Sequence, residues 1–365
     1  MSLFNRRKFI SSAVMSISTI AMNENSREGK DFSNQIIEII IPFKEGGGAD
    51  VWGRFNASFL SRYLPGNPIV IVRNIPGGNS ITGANRYARN VKPNGLSLLG
   101  TSASTQFPYL LNDPRVDYNY ADWLPIMTYG TGGVVYISPK LGINNLEDLN
   151  NITGTELFFG SQGPTSLDLV PVLGFKLLNL NVKPIFGFRG RGAGRLAFER
   201  GETHIDYQTS SAYLRNVIPL VQSGDAVPLF SWGTLDQNSQ LIRDPTFPDL
   251  PHFGEAFEII HKKTPEGSSW DAWLSFFSAG FPAQKLLVVP RGTPADIIYT
   301  YTIAIEAMKQ DPEYIERKLL TLGKYEQSTG KSAQTIYELA TQIPKPAIDW
   351  VKGWLNVEFG ISLEV

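Results

Sequence analysis

Residues 36–50 read IIEIIIPFKEGGGAD, and the fold class of the chain follows from them. The nearly continuous β-branched run over 36–41 predicts a buried strand in a sheet that is covered on both faces. The glycines at 46–48 are followed by a helical apolar pattern, at Val51, Trp52, Phe55, Phe59 and Leu60. A strand, a glycine turn and a helix leave free backbone N–H groups at the helix N-terminus, where the helix dipole favours an anion. The stretch therefore predicts a cradle for a phosphate or a carboxylate.

The same pattern recurs along the chain. Strands are predicted at 69–72 and 96–99, with a short helix at 83–90 between them. Alternating strands and helices indicate a doubly wound α/β sheet. A further strand at 157–159, followed by a turn at 160–166, repeats the cradle more than a hundred residues after the first one. This second cradle predicts a second lobe, and two facing helix N-termini would form a cleft for a small anion.

Composition excludes several classes of function. The chain has 365 residues, 42% of them apolar, which is enough for two lobes with real cores. Its 33 basic and 34 acidic residues give a net charge of −1, so there is no basic field for nucleic acid or anionic lipid. It has no cysteine for a disulfide, a thiolate nucleophile or an iron–sulfur cluster. His204, His252 and His261 lie far apart in sequence, so neither a metal site nor a cofactor is expected.

The phosphate alternative for the first cradle lacks its motifs. Neither the GxxxxGK[ST] spacing nor the dinucleotide spacing GxGxxG occurs there. Residues 190–194 (GRGAG) resemble a dinucleotide loop, but their third glycine comes one residue early. Residues 100–104 (GTSAS) lack the second glycine of a GxSxG nucleophile turn. A carboxylate is therefore the favoured anion.

The first 26 residues differ in kind from the rest and predict an export signal. A basic segment at 5–10 (NRRKFI) precedes an apolar run over 11–22. The run is too short for an ordinary membrane span of about 20 residues, so a permanent anchor is not expected. The adjacent arginines favour the twin-arginine export route, with the general secretory route as the alternative. We expect cleavage between Ala21 and Arg27 and a soluble protein in the periplasm.

Eleven short motifs occur together in an order and spacing that are more specific than any one of them alone. They are PFKEGGGAD at 42–50, NIPGG at 74–78, PNG at 93–95 with LLGT at 98–101, GSQG at 160–163, FRG at 188–190, PDLP at 248–251 with EA at 255–256, PRGTP at 290–294, DP at 311–312 and LG at 322–323. From about residue 36 to residue 343 the chain resembles the Bug-type receptors. These are the extracytoplasmic solute-binding proteins of tripartite tricarboxylate transporters.

The resemblance implies a two-lobed α/β architecture, the type 2 periplasmic-binding-protein fold. Each lobe would be a mostly parallel sheet flanked by helices, and two crossing strands would join the lobes near 124–137 and 270–289. The expected division is lobe one at 30–129 and 270–365, and lobe two at 130–269. The aromatic stretch 270–285 is interpreted mainly as hinge packing and less as a wall of the cleft.

Members of this family hold ligand carboxylates largely through backbone amides, small hydroxyl side chains and ordered waters at the two cradles. Carried over by motif, the predicted ligand-binding residues are Phe43, Gly47, Gly48 and Asp50 in the first loop, Thr101, Ser102 and Ser104 in the next, and Ser161, Gln162, Thr165 and Ser166 in lobe two. The alternative is local: the glycines serve a tight turn, and Asp50, Thr165 and Ser166 cap helices.

Two positions depart from the family pattern. Where many members have Tyr-Lys-Gly or Tyr-Arg-Gly, residues 188–195 read FRGRGAGR, which adds cations without a tyrosine. Arg189 is predicted at the mouth or wall of the cleft, with a solvated loop as the alternative. Gln208 occupies a position that is commonly Asp, and it is included among the predicted ligand-binding residues. Both changes favour an anionic ligand.

Three functions remain open from the sequence. The first is a monomeric, non-catalytic receptor that delivers a di- or tricarboxylate, or a similar small organic acid, to membrane permease subunits. The second is a ligand-sensing subunit that docks on a signalling partner. The third, an enzyme using the same cleft, is less favoured because the cradle residues include hardly any acid–base pair or nucleophile.

Overall fold

The computed structural model describes residues 29–236 and 238–363, so the predicted export signal at 1–26 lies outside the described part. The strands, in chain order, are β1 (Ile36–Ile41), β2 (Ile69–Asn74), β3 (Ser97–Thr101), β4 (Trp123–Tyr129), β5 (Gly133–Ile137), β6 (Leu157–Ser161), β7 (Val182–Phe186), β8 (Ile205–Thr209), β9 (Val227–Ser231), β10 (Thr234–Leu235), β11 (Leu241–Ile242), β12 (Lys285–Pro290) and β13 (Gln327–Ser328). The helices are α1 (Gly48–Tyr63), α2 (Ile81–Asn90), α3 (Ala103–Leu110), α4 (Leu169–Leu177), α5 (Arg191–Glu199), α6 (Ser210–Asn216), α7 (Ile218–Ser223), α8 (Phe253–His261), α9 (Ser268–Gly280), α10 (Ala295–Lys309), α11 (Pro312–Thr321), α12 (Gly330–Thr341) and α13 (Lys345–Phe359). None of these described helices is both long enough and apolar enough to cross a membrane.

Lobe one is built on a six-stranded sheet in the order β13-β4-β12-β3-β1-β2. The predicted strand at 36–41 is confirmed as β1, which pairs in parallel with β2 and β3. Strand β12 runs antiparallel to β3 and β4, because it carries the chain back from lobe two. The mostly parallel pairing expected from the sequence therefore holds for β1 to β3, and the whole sheet is mixed.

Lobe two has its own strands. β5 lies between β8 and β9 and is antiparallel to both, whereas β6 and β7 pair in parallel. The backbone N–H of His204 donates to the carbonyl of Phe158 at 2.9 Å, so β6 lies beside β8. The predicted strand at 157–159 is thus confirmed as β6, which lies between β7 and β8 and leads into the predicted turn at 160–166.

Two chain crossings join the lobes and run side by side. Residues 130–132 connect β4 to β5, and residues 281–284 connect α9 to β12. The N–H of Thr131 donates to the carbonyl of Phe281 at 2.9 Å. A Cβ at Gly130 would lie 2.9 Å from the carbonyl oxygen of Pro282, so glycine permits this close approach. The crossings lie within the ranges expected from the sequence.

Helices α9 and α13 pack against lobe two, although the predicted boundary at 269/270 assigns nearly all of α9 and the whole of α13 to lobe one. Trp273 of α9 is fully buried in the same apolar cluster as Phe159 of β6, and α13 packs along α9. Phe276 also contacts Phe107 of α3 edge to face, with ring centroids 5.0 Å apart. Helix α9 therefore joins the cores of the two lobes next to the crossings.

Candidate functional site

The first cradle is the loop between β1 and α1, and Asp50 holds its shape. The Asp50 carboxylate accepts hydrogen bonds from the N–H of Gly46 at 2.9 Å, from Asn74 Nδ2 at 2.9 Å and from Arg54 Nε at 3.0 Å. Asn74 Nδ2 also donates to the carbonyl of Phe43 at 3.0 Å, which ties this loop to the end of β2. Asp50 is buried, and these donors occupy both its oxygens. Its contact with a ligand stays a prediction, whereas its role in shaping the loop is observed.

The N-terminus of α1 faces lobe two. A Cβ at Gly48 would lie 2.9 Å from Thr209 Oγ1 and 3.3 Å from Ser211 Oγ, at the turn between β8 and α6. Gly47, the residue that precedes the helix, would meet only the carbonyl of Lys44, at 3.7 Å. Gly48 therefore permits a close approach of the two lobes. A side chain at position 47 would not contact lobe two in this way.

The residues predicted at the end of β3 divide into two groups. Thr101 is fully buried. Its side chain lies on the same face of the sheet as that of Leu99, which is the face opposite α1. Ser102 is the residue before α3, and Ser104 Oγ accepts a hydrogen bond at 3.0 Å from the N–H of Leu167 in lobe two. The structure thus brings Ser104 to the interlobe contact and leaves the Thr101 side chain in the core.

The second cradle, residues 161–166, is held largely by its own hydrogen bonds. Ser161 Oγ accepts from the N–H of Gly163 at 3.2 Å, and Ser166 Oγ donates to the carbonyl of Gly163 at 2.7 Å. The N–H of Gln162 donates to Asp168 Oδ2 at 2.6 Å. Thr165 Oγ1 crosses to lobe one and donates to Asp113 Oδ2 at 3.2 Å. These side chains shape the loop or join the two lobes, and the backbone N–H groups of Gln162, Gly163 and Ser166 are likewise engaged within the protein.

The two cradles therefore both border the cleft between the lobes, where the first approaches the turn between β8 and α6 and the second approaches the start of α3. A further contact between the lobes lies at Gly163 and Asn79, where a Cβ at Gly163 would collide with the Asn79 amide. The cleft lies at the carboxyl ends of β1 and β3, which is where open α/β sheets bind ligands. Two surface cavities of about 430 and 270 Å³ lie elsewhere, and no predicted site residue lines either of them.

A buried polar network supports the second cradle, and the sequence interpretation missed it. The Arg191 guanidinium pairs with Asp206, lies 3.3 Å from Asp168 Oδ2, and donates to the carbonyl of Gly160 at 2.6 Å. The Tyr207 hydroxyl donates to Asp168 Oδ1 at 2.7 Å. Burial raises the pKa of Tyr207 well above its ordinary value, so the hydroxyl stays a donor.

Three segments far apart in sequence supply this network: the residue before α4, the start of α5 and the middle of β8. The available signal was the presence of acidic residues inside apolar runs, at Asp168 (SLDLV) and Asp206 (HIDYQ), since a buried carboxylate requires a partner. The sequence interpretation counted Arg191 only among the cations of residues 188–195 that favour an anionic ligand, with a solvated loop as the alternative. In the structure only 11% of its side chain is exposed, and its guanidinium stacks 4.4 Å above the ring of Tyr207.

Arg189 and Gln208 have different surroundings. Arg189 is exposed on the loop between β7 and α5, and no hydrogen bond or ion pair joins it to the other described residues. Its predicted contact with a ligand stays a prediction. Gln208 is buried, and its Nε2 donates to the Arg191 carbonyl at 2.9 Å and to Asp206 Oδ2 at 3.1 Å. Position 208 lacks the carboxylate that is common in the family, but Asp206, two residues earlier on β8, keeps an acidic side chain in this strand.

Metal chemistry receives no support from the described residues. No group of three or more His, Cys, Asp or Glu side chains in ranges 29–236 and 238–363 is placed to hold an ion. His204 accepts a hydrogen bond from the N–H of Phe158 at 3.0 Å, and His252 begins α8 in a reciprocal hydrogen-bond pair with Glu255. These two histidines thus have local structural roles.

Comparison with known proteins gives a consistent fold. No family model matches the chain, and no curated protein matches it in sequence. Among solved structures, the periplasmic binding protein BugD is 19% identical, with a TM-score of 0.67 over 90% of this chain and 98% of its own. MatC from Rhodopseudomonas palustris, solved with malate, is 18% identical, with a TM-score of 0.64 over 87% and 99%. A second R. palustris protein, solved with adipate, is 18% identical, with a TM-score of 0.65 over 85% and 95%. The chain therefore has the two-lobed α/β fold of periplasmic binding proteins.

Proposed function

We propose that this protein is an extracytoplasmic receptor that binds a small carboxylate in the interlobe cleft. The observation that carries the proposal is that both cradles border the cleft between the lobes. The first cradle is rich in glycine and leads into the N-terminus of α1, where backbone N–H groups attract an anion, and the second cradle contributes small hydroxyl residues. Two neighbours with this fold were solved with dicarboxylates, malate and adipate. A carboxylate fits such amide-rich surfaces without a metal or a cofactor.

We place the protein with the Bug-type receptors, and we propose that it delivers its ligand to the permease of a tripartite tricarboxylate transporter. Sequence motifs over 36–343 and the fold of BugD support this placement. A sensing role would use the same closed cleft with a different docking partner, and a neighbouring gene for a sensor kinase would favour it. Catalysis has less support, because Asp168 and Asp206 are engaged by Arg191.

Carboxylates are expected to raise the melting temperature of the mature protein. A thermal-shift screen would compare acetate, malate, adipate and citrate with glucose and the diamine cadaverine as neutral and cationic controls that carry no carboxylate. A ligand at a hundred times its Kd stabilises the folded state by about 2.7 kcal/mol, which is a shift of a few degrees. A shift with glucose or cadaverine and none with any acid would contradict the proposed ligand class.

We also propose that the protein is exported and that its N-terminal segment is removed. Mass spectrometry of the extracytoplasmic protein is expected to find a mature start between residues 22 and 30. Replacing both Arg6 and Arg7 by lysine should block export by the twin-arginine route. Continued export of that variant would favour the general secretory route, and an intact Met1 on the exported protein would contradict removal.

A further inference from the structure

Lys285 lies at the end of the lobe-one strands that borders the cleft. It is the first residue of β12, directly after the second crossing, and pairs with Tyr129 of β4. On the other side, Leu286 pairs with Thr101, and the same antiparallel register continues to place Lys285 opposite Ser102 at the start of α3. Lys285 therefore lies in the row of residues that closes this end of the sheet.

The Lys285 side chain lies on the face of the sheet that α1 covers. Side chains alternate along a strand, so Lys285 shares a face with Leu287, two residues on. Leu287 and Tyr129 belong to the same apolar cluster as Ala49 in the first turn of α1. The lysine thus lies on this face opposite the residue before α3 and two strands from β1, and the loops that follow β3 and β1 supply predicted site residues.

Lys285 is buried without a counter-ion. Its relative exposure is only 6%, and no hydrogen bond or ion pair joins it to the other described residues. Burial lowers the pKa of the Lys285 ammonium to about 7, and no nearby carboxylate opposes this effect. A buried charge without a partner is costly, so this position favours binding an anion.

We propose that Lys285 is a specificity-determining residue whose ammonium pairs with a carboxylate of the ligand in the interlobe cleft. The inference deepens the proposed function and rests on it. Backbone amides at the ends of α1 and α3 would hold one carboxylate through hydrogen bonds, and Lys285 would neutralise its charge. Such a site selects acids over neutral or cationic solutes of the same size.

The direct test is isothermal titration calorimetry of the full mature protein with malate, adipate and citrate. Lys285→Met keeps the length of the side chain and removes the charge, and it is expected to weaken the best of these acids about thirtyfold or more. Lys92→Met is the matched control, because Lys92 is exposed just before β3 and should bind as the wild type does. Lys285→Met should also melt at a higher temperature than the wild type without ligand, which a purely structural lysine would not do.

A pH series gives a second readout. The titratable groups on surrounding elements are Asp50 on α1, Tyr129 on β4, and Asp244 and Tyr325 at the adjacent interlobe contact. The Asp244 carboxylate accepts hydrogen bonds from the Tyr325 hydroxyl and from the N–H of Thr246, and the Asp50 carboxylate accepts one from the N–H of Gly46. Neither of these two carboxylates is therefore free to pair with Lys285. Because the free amine loses its proton near pH 7, wild-type affinity should fall as pH rises from 7 to 9, by up to tenfold per unit. Lys285→Met should lack this dependence.

The outcomes separate the two proposals. If none of the three acids binds the wild type, the proposed function fails, and the inference fails with it. If they bind the wild type and Lys285→Met with equal affinity and equal pH dependence, the carboxylate receptor stands and the role of Lys285 is wrong. If Lys285→Met binds the acids more weakly but keeps the pH dependence of the wild type, the proposed ion pair is also wrong, because the loss then comes from packing.

Discussion

Gly48→Val is expected to reduce carboxylate affinity about a hundredfold or more while leaving each lobe folded. The Cβ of any side chain at this position would come within 2.9 Å of Thr209 Oγ1 and 3.3 Å of Ser211 Oγ, and valine adds two methyl groups beyond it. The clash lies between the lobes, so it opposes closure and spares both cores. If binding requires the closed form, a fall of its population to about 1% lowers the apparent affinity a hundredfold. Calorimetry with malate or adipate measures the loss, and small-angle scattering measures the open fraction.

Gly47→Ala is the matched control for this prediction. It lies in the same loop, and its Cβ would meet only the Lys44 carbonyl at 3.7 Å, an ordinary contact distance. Its φ of −80° is also accessible to alanine, so neither strain nor closure opposes the change. Scattering should therefore report the same closed fraction for Gly47→Ala as for the wild type. A Gly48→Val protein that closes and binds normally would show that the lobes do not need this approach for function.

The first cradle could be predicted from sequence because its causes are local. The β-branched run of β1 and the glycines at 46–48 lie within fifteen residues, and each specifies its own backbone. The resemblance of motifs then gave the two-lobed architecture, which the solved structures share. Pairing direction was less predictable, because β12 is reversed only as a consequence of the return from lobe two.

Side-chain partners across the fold could not be predicted in the same way. Ser104 and Thr165 carry hydroxyls suited to a carboxylate, yet in this closed arrangement they bond Leu167 and Asp113 across the cleft. Lys285 begins a run of apolar residues and reads in sequence as the polar end of a strand. Only the register of β12 against β3 and β4 places it beside the cleft. Interlobe contacts depend on how distant elements meet, and a single sequence does not encode that pairing locally.

Arg191→Met is expected to destabilise the protein by about 3 to 5 kcal/mol, the cost of breaking a buried ion pair by removing one partner. The change leaves two fully buried carboxylates, Asp168 and Asp206, without their cation, and it removes the donor to the Gly160 carbonyl. Denaturant unfolding of the mature protein measures the free energy of unfolding. Arg189→Met, an exposed arginine two residues earlier, should stay within about 0.5 kcal/mol of the wild type.

A double-mutant cycle distinguishes charge compensation from packing at Arg191. If the uncompensated carboxylates cause the loss, then Asp206→Asn should be destabilising in the wild type and should restore part of the stability in the Arg191→Met background. If the loss came only from packing against Tyr207 and Phe159, on whose rings the guanidinium stacks, Asp206→Asn would have the same effect in both backgrounds. A loss below about 1 kcal/mol for Arg191→Met would contradict the ion-pair account altogether. Asp168 also accepts a hydrogen bond from the N–H of Gln162 in the second cradle. Arg191→Met should therefore also weaken carboxylate binding, because it disturbs the shape of that loop.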